Sequence, residues 1–255
     1  MSTGGGFLNN RRELAGRTAI VTGASTGIGR EIAKAIAAHG GRVGVVGRST
    51  NKLRETQKQI QDLGGEAKVF QVDLRNEQDI RRLASEVLKE YGVIDIIANV
   101  AGVWHDKEKV YYGPRLWDTP EEQITEVLDV GIRAPMLLTR ALLPAMVKQG
   151  RGKIIQISGT FESGASGWLH YYVSKKAIEQ FTFGLAEELR PHKIQVNAIS
   201  PSDTYTEAYR RFFPDAKQEQ CLDPVDIANL AIFLLSEEAD NITGACIVIR
   251  NKNAL

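Results

Sequence analysis

The sequence predicts an α/β fold: a single Rossmann-type doubly wound domain, with a seven-stranded, mainly parallel sheet and helices on both faces. The first observation is that short apolar runs alternate with amphipathic helical stretches from Thr18 onward, as in consecutive strand–helix units. The second is a glycine-rich turn between the first apolar run and the first helix. The third is that no Gly-, Ser- or Pro-rich linker divides the 255 residues, of which 43% are hydrophobic, so one sizeable core is expected.

Seven apolar runs are predicted as strands because they are short, rich in β-branched residues and bounded by turn residues. Their ranges are 18–22, 42–46, 67–72, 93–98, 153–158, 193–199 and 246–249. The helices follow from the 3.6-residue repeat of apolar positions, at about 30–39, 52–63, 77–91, 119–149, 171–189 and 223–235. Thr119 caps the long fourth helix, which Pro135 and Pro144 are expected to kink or split.

Composition limits the classes of partner. Residues 1–15 are interpreted as a flexible N-terminal arm, and residues 16–255 as the folded domain. The net charge is +1 with both signs mixed, so neither nucleic acid nor a membrane is an expected partner. The start lacks a secretory-signal pattern, and no run of about 18 apolar residues is evident. Cys221 and Cys246 lack metal-ligand spacing, so we expect free thiols, no metal and a cytoplasmic location.

The glycine-rich turn is the first candidate site. Gly23, Gly27 and Gly29 lie between the first strand and the first helix. Glycines there let the backbone turn sharply and approach a pyrophosphate, which the amides and positive dipole of the helix start would hold. A tight strand–helix turn without a ligand has the same spacing, so the prediction of a dinucleotide depends on the residues around it.

The second candidate site is the stretch 171–176, which contains two overlapping Tyr-x-x-x-Lys frames. Residues four apart share a helix face, and a lysine there would lower the tyrosine pKa from about 10, as acid–base chemistry on a carbonyl requires. Tyr171 and Lys175 lie on the inward stripe, with Ile178, Thr182, Leu185 and Leu189. Tyr172 and Lys176 lie on a mostly polar stripe and are interpreted as surface or subunit-contact residues.

Several ordered motifs resemble those of the short-chain dehydrogenase/reductase (SDR) family, over about residues 16 to 250. The family patterns are Thr-Gly-x-x-x-Gly-x-Gly, an Asp after the third strand, Asn-Asn-Ala-Gly, Tyr-x-x-Ser-Lys and Asn-x-x-x-Pro-Gly. They are matched at 22–29, 73, 99–102, 171–175 and 197–202, with departures at Val100 and Ser202. The resemblance implies an NAD(P)-dependent oxidoreductase and makes residues 16–255 a single dinucleotide-binding and catalytic domain.

The resemblance also implies which residues bind the cofactor: Gly23, Ser25, Thr26, Gly27, Ile28, Gly29, Arg48, Ser49, Asp73, Leu74, Asn99, Ala101, Gly102, Tyr171, Lys175, Pro201, Ser202, Thr204 and Thr206. An acid at the end of the second strand would bind a ribose 2′-hydroxyl and repel a 2′-phosphate. This chain has Gly47 there, and the Arg48 that follows could clamp a phosphate, with Ser25 and Ser49 as hydroxyl donors. NADP(H) is therefore favoured over NAD(H), although Thr26 stands where many phosphate-binding relatives carry Arg or Lys.

The catalytic roles implied by the resemblance fall on Ser158, Tyr171 and Lys175. Tyr171 would protonate the carbonyl oxygen as hydride arrives from the nicotinamide, while Lys175 would lower the tyrosine pKa and bind the nicotinamide ribose. Ser158 has the family's spacing of thirteen residues before Tyr171. Counted from the fifth strand, however, the serine position falls on Gly159. A one-residue deletion in the loop must then bring Ser158 into place, with Thr160 as a substitute.

A second departure weakens the proton relay. Gly131 stands where family members carry an Asn that holds a relay water, and glycine cannot supply the amide. Slower or differently relayed proton transfer is expected, or no turnover on ordinary carbonyl substrates.

Three segments would wall the substrate pocket, at 103–119, 160–170 and about 204–222. Their aromatic residues suit an apolar or ring-bearing substrate. The lead hypothesis is hydride transfer between NADP(H) and a carbonyl or secondary alcohol of a small molecule. The alternatives are a catalytically weak or inactive SDR-like dinucleotide-binding sensor or subunit, and a 3-oxoacyl-thioester reductase. The resemblance implies a homo-oligomer, a dimer or a homotetramer.

Overall fold

The computed structural model describes residues 13–161 and 164–253. Seven strands form its central sheet: β1 (Thr18–Thr22), β2 (Arg42–Gly47), β3 (Glu66–Gln71), β4 (Ile96–Asn99), β5 (Gly152–Ile157), β6 (Ile194–Pro201) and β7 (Cys246–Ile249). Their order is β3-β2-β1-β4-β5-β6-β7, and every neighbouring pair is parallel. The predicted fold class is confirmed.

Helices cover both faces of the sheet. They are α1 (Gly27–Ala38), α2 (Thr50–Asp62), α3 (Glu77–Tyr91), α4 (Glu121–Leu128), α5 (Ala134–Gln149), α6 (Leu169–Leu189), α7 (Glu207–Phe212) and α8 (Pro224–Leu235). Successive residues of β1 face opposite sides: Ala19 and Val21 pack with residues of α1 and α8, and Ile20 with residues of α3 and α5. The sequence pattern does not predict α7, which lies in one of the expected substrate walls.

The sheet topology brings the predicted cofactor residues to one edge. Because all the strands are parallel, their carboxyl ends share an edge. The direction of strand order reverses between β1 and β4, where open α/β sheets leave a ligand-binding crevice. The predicted residues follow the carboxyl ends of β1, β2, β3, β4 and β6.

The long helix predicted for 119–149 is interrupted near its middle. α4 passes into a π-helical segment, Asp129–Arg133, before α5 begins. Pro135, which has no N–H to donate to this segment, lies just after it in the first turn of α5, whereas Pro144 lies further inside α5. The centre of the π segment is Gly131, where an added Cβ would lie 3.0 Å from both Cβ and Oγ of Ser174. The π segment therefore packs closely against α6 at this glycine.

By length and composition, the helical stretch Glu121–Gln149 could cross a membrane. Leu138, Leu142 and Met146 of this stretch are fully buried against the sheet and α3. It is thus packed as a central helix of the domain.

The N-terminal boundary differs slightly from the predicted one. Leu14 is buried, and its N–H donates to the His39 carbonyl at 3.0 Å. Leu14 therefore belongs to the body and not to the predicted arm, whose residues 1–12 lie outside the described part of the chain.

Candidate active site

The glycine turn joins β1 to α1 and touches the end of β4. Gly23 has φ +68°, and a Cβ there would lie 2.9 Å from Ala101 Cα. A Cβ on Gly29 would lie 2.3 Å from the Gly23 carbonyl oxygen, so the first turn of α1 closes onto the loop only with glycine at this position. These close approaches leave backbone, and not side chains, facing the crevice.

The turn after β4 is held by Thr22. Its hydroxyl oxygen accepts hydrogen bonds from the N–H groups of Val100 (3.0 Å) and Ala101 (3.2 Å). Asn99 is buried, and its amide donates to Thr139 Oγ1 of α5 at 3.2 Å. The Asn99 side chain thus fixes the turn to α5, and Ala101 and Gly102 continue the turn along the crevice.

At the end of β2 the glycine is in close contact with the glycine-rich turn. A Cβ on Gly47 would lie 2.6 Å from Ser25 Oγ, so a larger residue there would require the Ser25 hydroxyl to move. The Arg48 side chain is 57% exposed, and its guanidinium lies 3.4 Å from the carboxylate of Glu126 on α4. Ser25 and Arg48 thus both lie beside Gly47, at the predicted 2′-phosphate position.

Asp73 is paired with a neighbouring arginine. Arg75 holds the Asp73 carboxylate with both Nε and Nη2, and its Nη1 contacts Glu126 Oε1 at 3.1 Å. The hydrogen bond from Arg75 holds the pKa of Asp73 below its ordinary value. Asp73 is therefore a carboxylate acceptor at neutral pH. Glu126 contacts both Arg48 and Arg75, and it also accepts from the Tyr111 hydroxyl at 2.9 Å.

Tyr171 and Lys175 lie one turn apart on α6, on the predicted inward stripe. Lys175 is 4% exposed, its Nζ donates to the Ile157 carbonyl at 2.9 Å, and it lies 5.3 Å from the centre of the Tyr171 ring. A Cβ on Gly102 would lie 3.3 Å from this Nζ. The ammonium is therefore enclosed between the ends of β4 and β5.

The pKa values of this pair differ from the expected ones. Burial raises the pKa of Tyr171, and burial lowers the pKa of Lys175 to about 8. The expected lowering of the Tyr171 pKa by Lys175 is not seen, because desolvation is the largest effect on both groups and the Lys175 ammonium directs one of its three protons at the Ile157 carbonyl. Tyr171 is thus a neutral phenol, ready to donate a proton.

The structure does not bring the Ser158 hydroxyl to Tyr171. Its hydrogen bonds within the described residues go to Glu179 Oε1 (2.6 Å) and the Lys175 carbonyl (3.1 Å), both on α6. At the next position, a Cβ on Gly159 would lie 3.9 Å from the Phe161 ring and 4.0 Å from Lys175 Cγ, with nothing closer. Position 159 therefore faces the Lys175 side chain, whereas the Ser158 hydroxyl is turned to α6. The shorter loop has not shifted Ser158 into that position.

The residues after β6 connect the site to α7. Ser202 N–H donates to the Ile249 carbonyl at 3.0 Å, and the Thr204 hydroxyl donates to the Ser202 carbonyl at 2.9 Å. Thr206 caps α7 by accepting from Tyr209 N–H at 3.1 Å. Asp203 also has a structural account here: burial first, and then the hydrogen-bonded Asp203 carboxylate, raise the pKa of Tyr209.

The predicted aromatic walls meet around the Tyr171 side of the site. Phe161 and Trp168 each place a ring 5.8 Å from the Tyr171 ring. Trp104 of the 103–119 loop packs against Phe212 of α7 at 5.9 Å. The second tyrosine frame lies outside: Tyr172 packs on Phe161, and Lys176 pairs with Glu179.

Neither histidine in these walls is poised as a catalytic base. His170 is buried, its Nε2 lies 2.9 Å from Gln123 Nε2, and burial lowers its pKa. His105 packs between Trp104 and Phe212.

Three acids near the site were not found from the sequence: Glu126, Glu179 and Glu207. Glu207 of α7 contacts the glycine turn, where its Oε2 accepts from Gly27 N–H at 3.1 Å. Each lies in a helix with ordinary polar composition, so no local pattern marks it. Only the tertiary contacts bring these acids to the cofactor edge.

The fold and site define a dinucleotide-dependent oxidoreductase of the α/β class. The sequence model described as short chain dehydrogenase matches residues 17–217. The human protein "Dehydrogenase/reductase SDR family member 4" is 31% identical over 253 residues, covering 95% of this chain and 89% of the human protein. This chain belongs to the short-chain dehydrogenase/reductase family, and it is an NAD(P)-dependent enzyme that acts on CH–OH or C=O groups.

Solved structures agree with this assignment. A metagenomic short-chain oxidoreductase in complex with NADP is 31% identical, with a TM-score of 0.81 over 94% of this chain and 99% of that one. The 3-ketoacyl-(acyl-carrier-protein) reductase of Brucella melitensis, complexed with NADH, is 26% identical, with a TM-score of 0.85 over 95% of this chain and 100% of that one. Both neighbours bind a nicotinamide dinucleotide, which is NADP in the first structure and NADH in the second.

The residues present fit such a cofactor. A carboxylate already accepts a hydrogen bond from the first N–H of α1, which shows that this helix start binds an anion. The glycines of the turn leave backbone groups accessible beside it. Gly23, Gly27 and Gly29 would hold the pyrophosphate, while Asp73 would accept from adenine and Lys175 would donate to the nicotinamide ribose.

The positions of Ser158 and Gly159 generate a prediction. Ser158→Ala should change the turnover of a carbonyl substrate by less than about threefold relative to the wild type, because the Ser158 hydroxyl binds α6 and not the substrate. The lost hydrogen bond should lower the free energy of unfolding by about 1 kcal/mol. Gly159→Ser should raise turnover about tenfold or more, because a hydroxyl facing Lys175 can donate to the developing oxyanion. The measurement is kcat across a panel of ketones and aldehydes with NADPH. A hundredfold loss in Ser158→Ala, with no gain in Gly159→Ser, would contradict this assignment.

Proposed function

We propose that the enzyme transfers hydride between NADP(H) and a carbonyl or secondary alcohol of an apolar or ring-bearing small molecule. The observation that carries this proposal is the Tyr171–Lys175 pair, enclosed at the crevice edge beside the glycine turn. NADPH, when bound, supplies the hydride for reduction, and NADP⁺ accepts it for oxidation.

The proton is assigned to Tyr171. Burial keeps its phenol protonated at neutral pH, which is the state required of the acid in carbonyl reduction. The Lys175 pKa of about 8 leaves the ammonium mostly charged at pH 7, so it can stabilise the phenolate that forms when the proton leaves.

The substrate oxygen has fewer partners than the family pattern implies. Position 131 lacks the relay amide, and position 159 lacks a hydroxyl. Tyr171 is then the donor on which substrate orientation depends. The rings of Phe161 and Trp168 beside it favour a substrate that is held by apolar contact.

Preference for NADP(H) is supported by the end of β2. Position 47 carries no acid that would repel a 2′-phosphate, and the Arg48 beside it provides an exposed guanidinium. A 2′-phosphate would replace Glu126 as the partner of Arg48, giving two charge-assisted hydrogen bonds where the present ion pair is long, at 3.4 Å.

A second candidate function follows from the two glycines at 131 and 159. A site with the acid but without its two helpers could bind dinucleotide with little turnover and serve as a sensor or subunit. The Brucella neighbour makes a 3-oxoacyl-thioester a further substrate to test.

We also propose a homo-oligomer, because large apolar side chains are exposed along two adjacent helices. Met136 of α5 and Val173 and Phe183 of α6 are each 46–55% exposed. A second copy packing on α5 and α6 would bury them. The cytoplasmic location stays a prediction.

Removal of the Tyr171 hydroxyl tests the reaction. Tyr171→Phe should lower turnover with NADPH at least a thousandfold, since the proton donor is lost, while the NADPH dissociation constant changes less than threefold. Tyr172→Phe is the matched control and should retain activity, because Tyr172 lies in the outer frame. NADPH oxidation is followed with a ketone and aldehyde panel, and binding by cofactor fluorescence. Equal activity of the two variants would contradict the proposed mechanism, and cofactor binding by the wild type without turnover of any panel member would favour the sensor.

Cofactor preference is tested at Arg48. Arg48→Ala should weaken NADPH binding about 10- to 100-fold, the loss expected for charge-assisted hydrogen bonds, and should change NADH binding little. Arg54→Ala removes an exposed positive charge from α2 and should have little effect on either. The measurement is fluorescence titration with both cofactors. Tighter NADH than NADPH binding by the wild type would refute the preference.

A further inference from the structure

The glycine turn is covered by a carboxylate of the chain itself. Glu207, the first residue of α7, places Oε2 at 3.1 Å from the N–H of Gly27 and Oε1 at 2.8 Å from Nη1 of Arg30. Gly27 is the first residue of α1, a helix of twelve residues. The Gly27 N–H therefore lies at the positive end of the α1 helix dipole.

Arg30 is held in place to receive this carboxylate. Its Nη2 donates to the Ser25 carbonyl at 2.7 Å, and its Nε donates to Thr56 Oγ1 at 3.3 Å. The Arg30 side chain is 12% exposed, whereas that of Glu207 is 43% exposed. The cation is thus a fixed part of the turn, and the carboxylate is the partner that can leave.

The segment that carries Glu207 lies directly on the turn. A Cβ on Gly27 would lie 2.9 Å from Cγ2 of Thr206, so the Thr206 side chain packs directly on the backbone of the turn. At its other end, α7 is joined to the 103–119 loop: Phe212 packs on Trp104, and Arg211 donates to the Lys107 carbonyl. α7 therefore joins the cofactor edge to the aromatic substrate wall.

A carboxylate and a pyrophosphate cannot share these donors. The Gly27 N–H has one hydrogen to donate, and two anions at the same helix start repel each other. We infer that Glu207 occupies the pyrophosphate site in the ligand-free enzyme, and that a dinucleotide binds only after Glu207 and α7 have moved away. This inference rests on the proposed function, since it takes the glycine turn as the pyrophosphate site.

The consequence is a coupling between the two ligands of the enzyme. The apparent dissociation constant of the cofactor equals the intrinsic one divided by the fraction of molecules with Glu207 displaced. Because α7 also carries Phe212 against Trp104, displacement of Glu207 rearranges the substrate wall. Cofactor binding thus loosens the contact of α7 with the 103–119 loop, which lets the substrate enter. This coupling depends on one exposed acid, Glu207.

The test compares Glu207→Gln with Glu219→Gln. Both variants remove one carboxylate from the segment between β6 and α8, but Glu219 is exposed and lies in the short 3-10 turn Gln218–Gln220. Each protein is titrated, as the full chain, with NADPH and with adenosine 2′-monophosphate, which has no pyrophosphate. Binding is measured by calorimetry at fixed ionic strength, and folding is checked by circular dichroism.

Glu207→Gln should bind NADPH about tenfold more tightly than the wild type, the order expected for removing a competing anion from a helix start. Its affinity for adenosine 2′-monophosphate should be unchanged, as should both affinities of Glu219→Gln. Equal NADPH affinity of Glu207→Gln and wild type would overturn the inference while leaving the proposed function intact. An equal gain for both ligands would overturn it as well, because the effect would then be one of net charge. Failure of the wild type to bind NADPH and NADH would overturn the proposed function and this inference with it.

Discussion

The buried ammonium of Lys175 is the interaction on which the site depends. Removal of a lysine from water is unfavourable by several kcal/mol unless its donors are satisfied, and here the Ile157 carbonyl at the end of β5 accepts from it. The ammonium is closely enclosed at Gly102, where an added Cβ would lie 3.3 Å from Nζ. The sheet edge, the turn after β4 and the inward face of α6 are therefore fixed relative to each other by one charge, and Tyr171 is positioned by the same helix.

Charge also determines how the donors of the crevice are paired within the chain. The donors predicted to bind the 2′-phosphate and the pyrophosphate have carboxylate partners, Glu126 at Arg48 and Glu207 at Gly27. Both acids are on helices of the crevice rim and are partly exposed, so these contacts contribute little stability and can be exchanged for phosphate. The positive groups of the predicted anion sites are thus paired with acids of the chain itself.

Local geometry decided which features could be predicted from the sequence. The alternation of apolar runs predicted the parallel sheet, and the stripe of Tyr171, Lys175 and Ile178 predicted the inward face of α6, because both depend on residues close in the chain. Ser158 could not be placed in the same way, since its spacing to Tyr171 and its position after β5 gave different answers. Its hydrogen bonds to α6 distinguish between them, and they are tertiary contacts. Glu126 and Glu207 lie 78 and 180 residues from their partners, so no pattern along the chain could reveal them. The interruption of the long helix was predicted from its prolines and falls just before Pro135. The close packing of Gly131 against Ser174 at that place could not be predicted, because it joins two helices.

The most direct test of this account is a titration of the Lys175 side chain in the ligand-free protein. The Nζ signal of selectively ¹⁵N-lysine-labelled protein, assigned by its loss in Lys175→Met, would be followed by NMR from pH 6 to 11. We predict a pKa of about 8 for Lys175, lowered by burial from the ordinary value of 10.5. A midpoint at the ordinary value would contradict it, because the ammonium would then lie in water and not at the centre of the site.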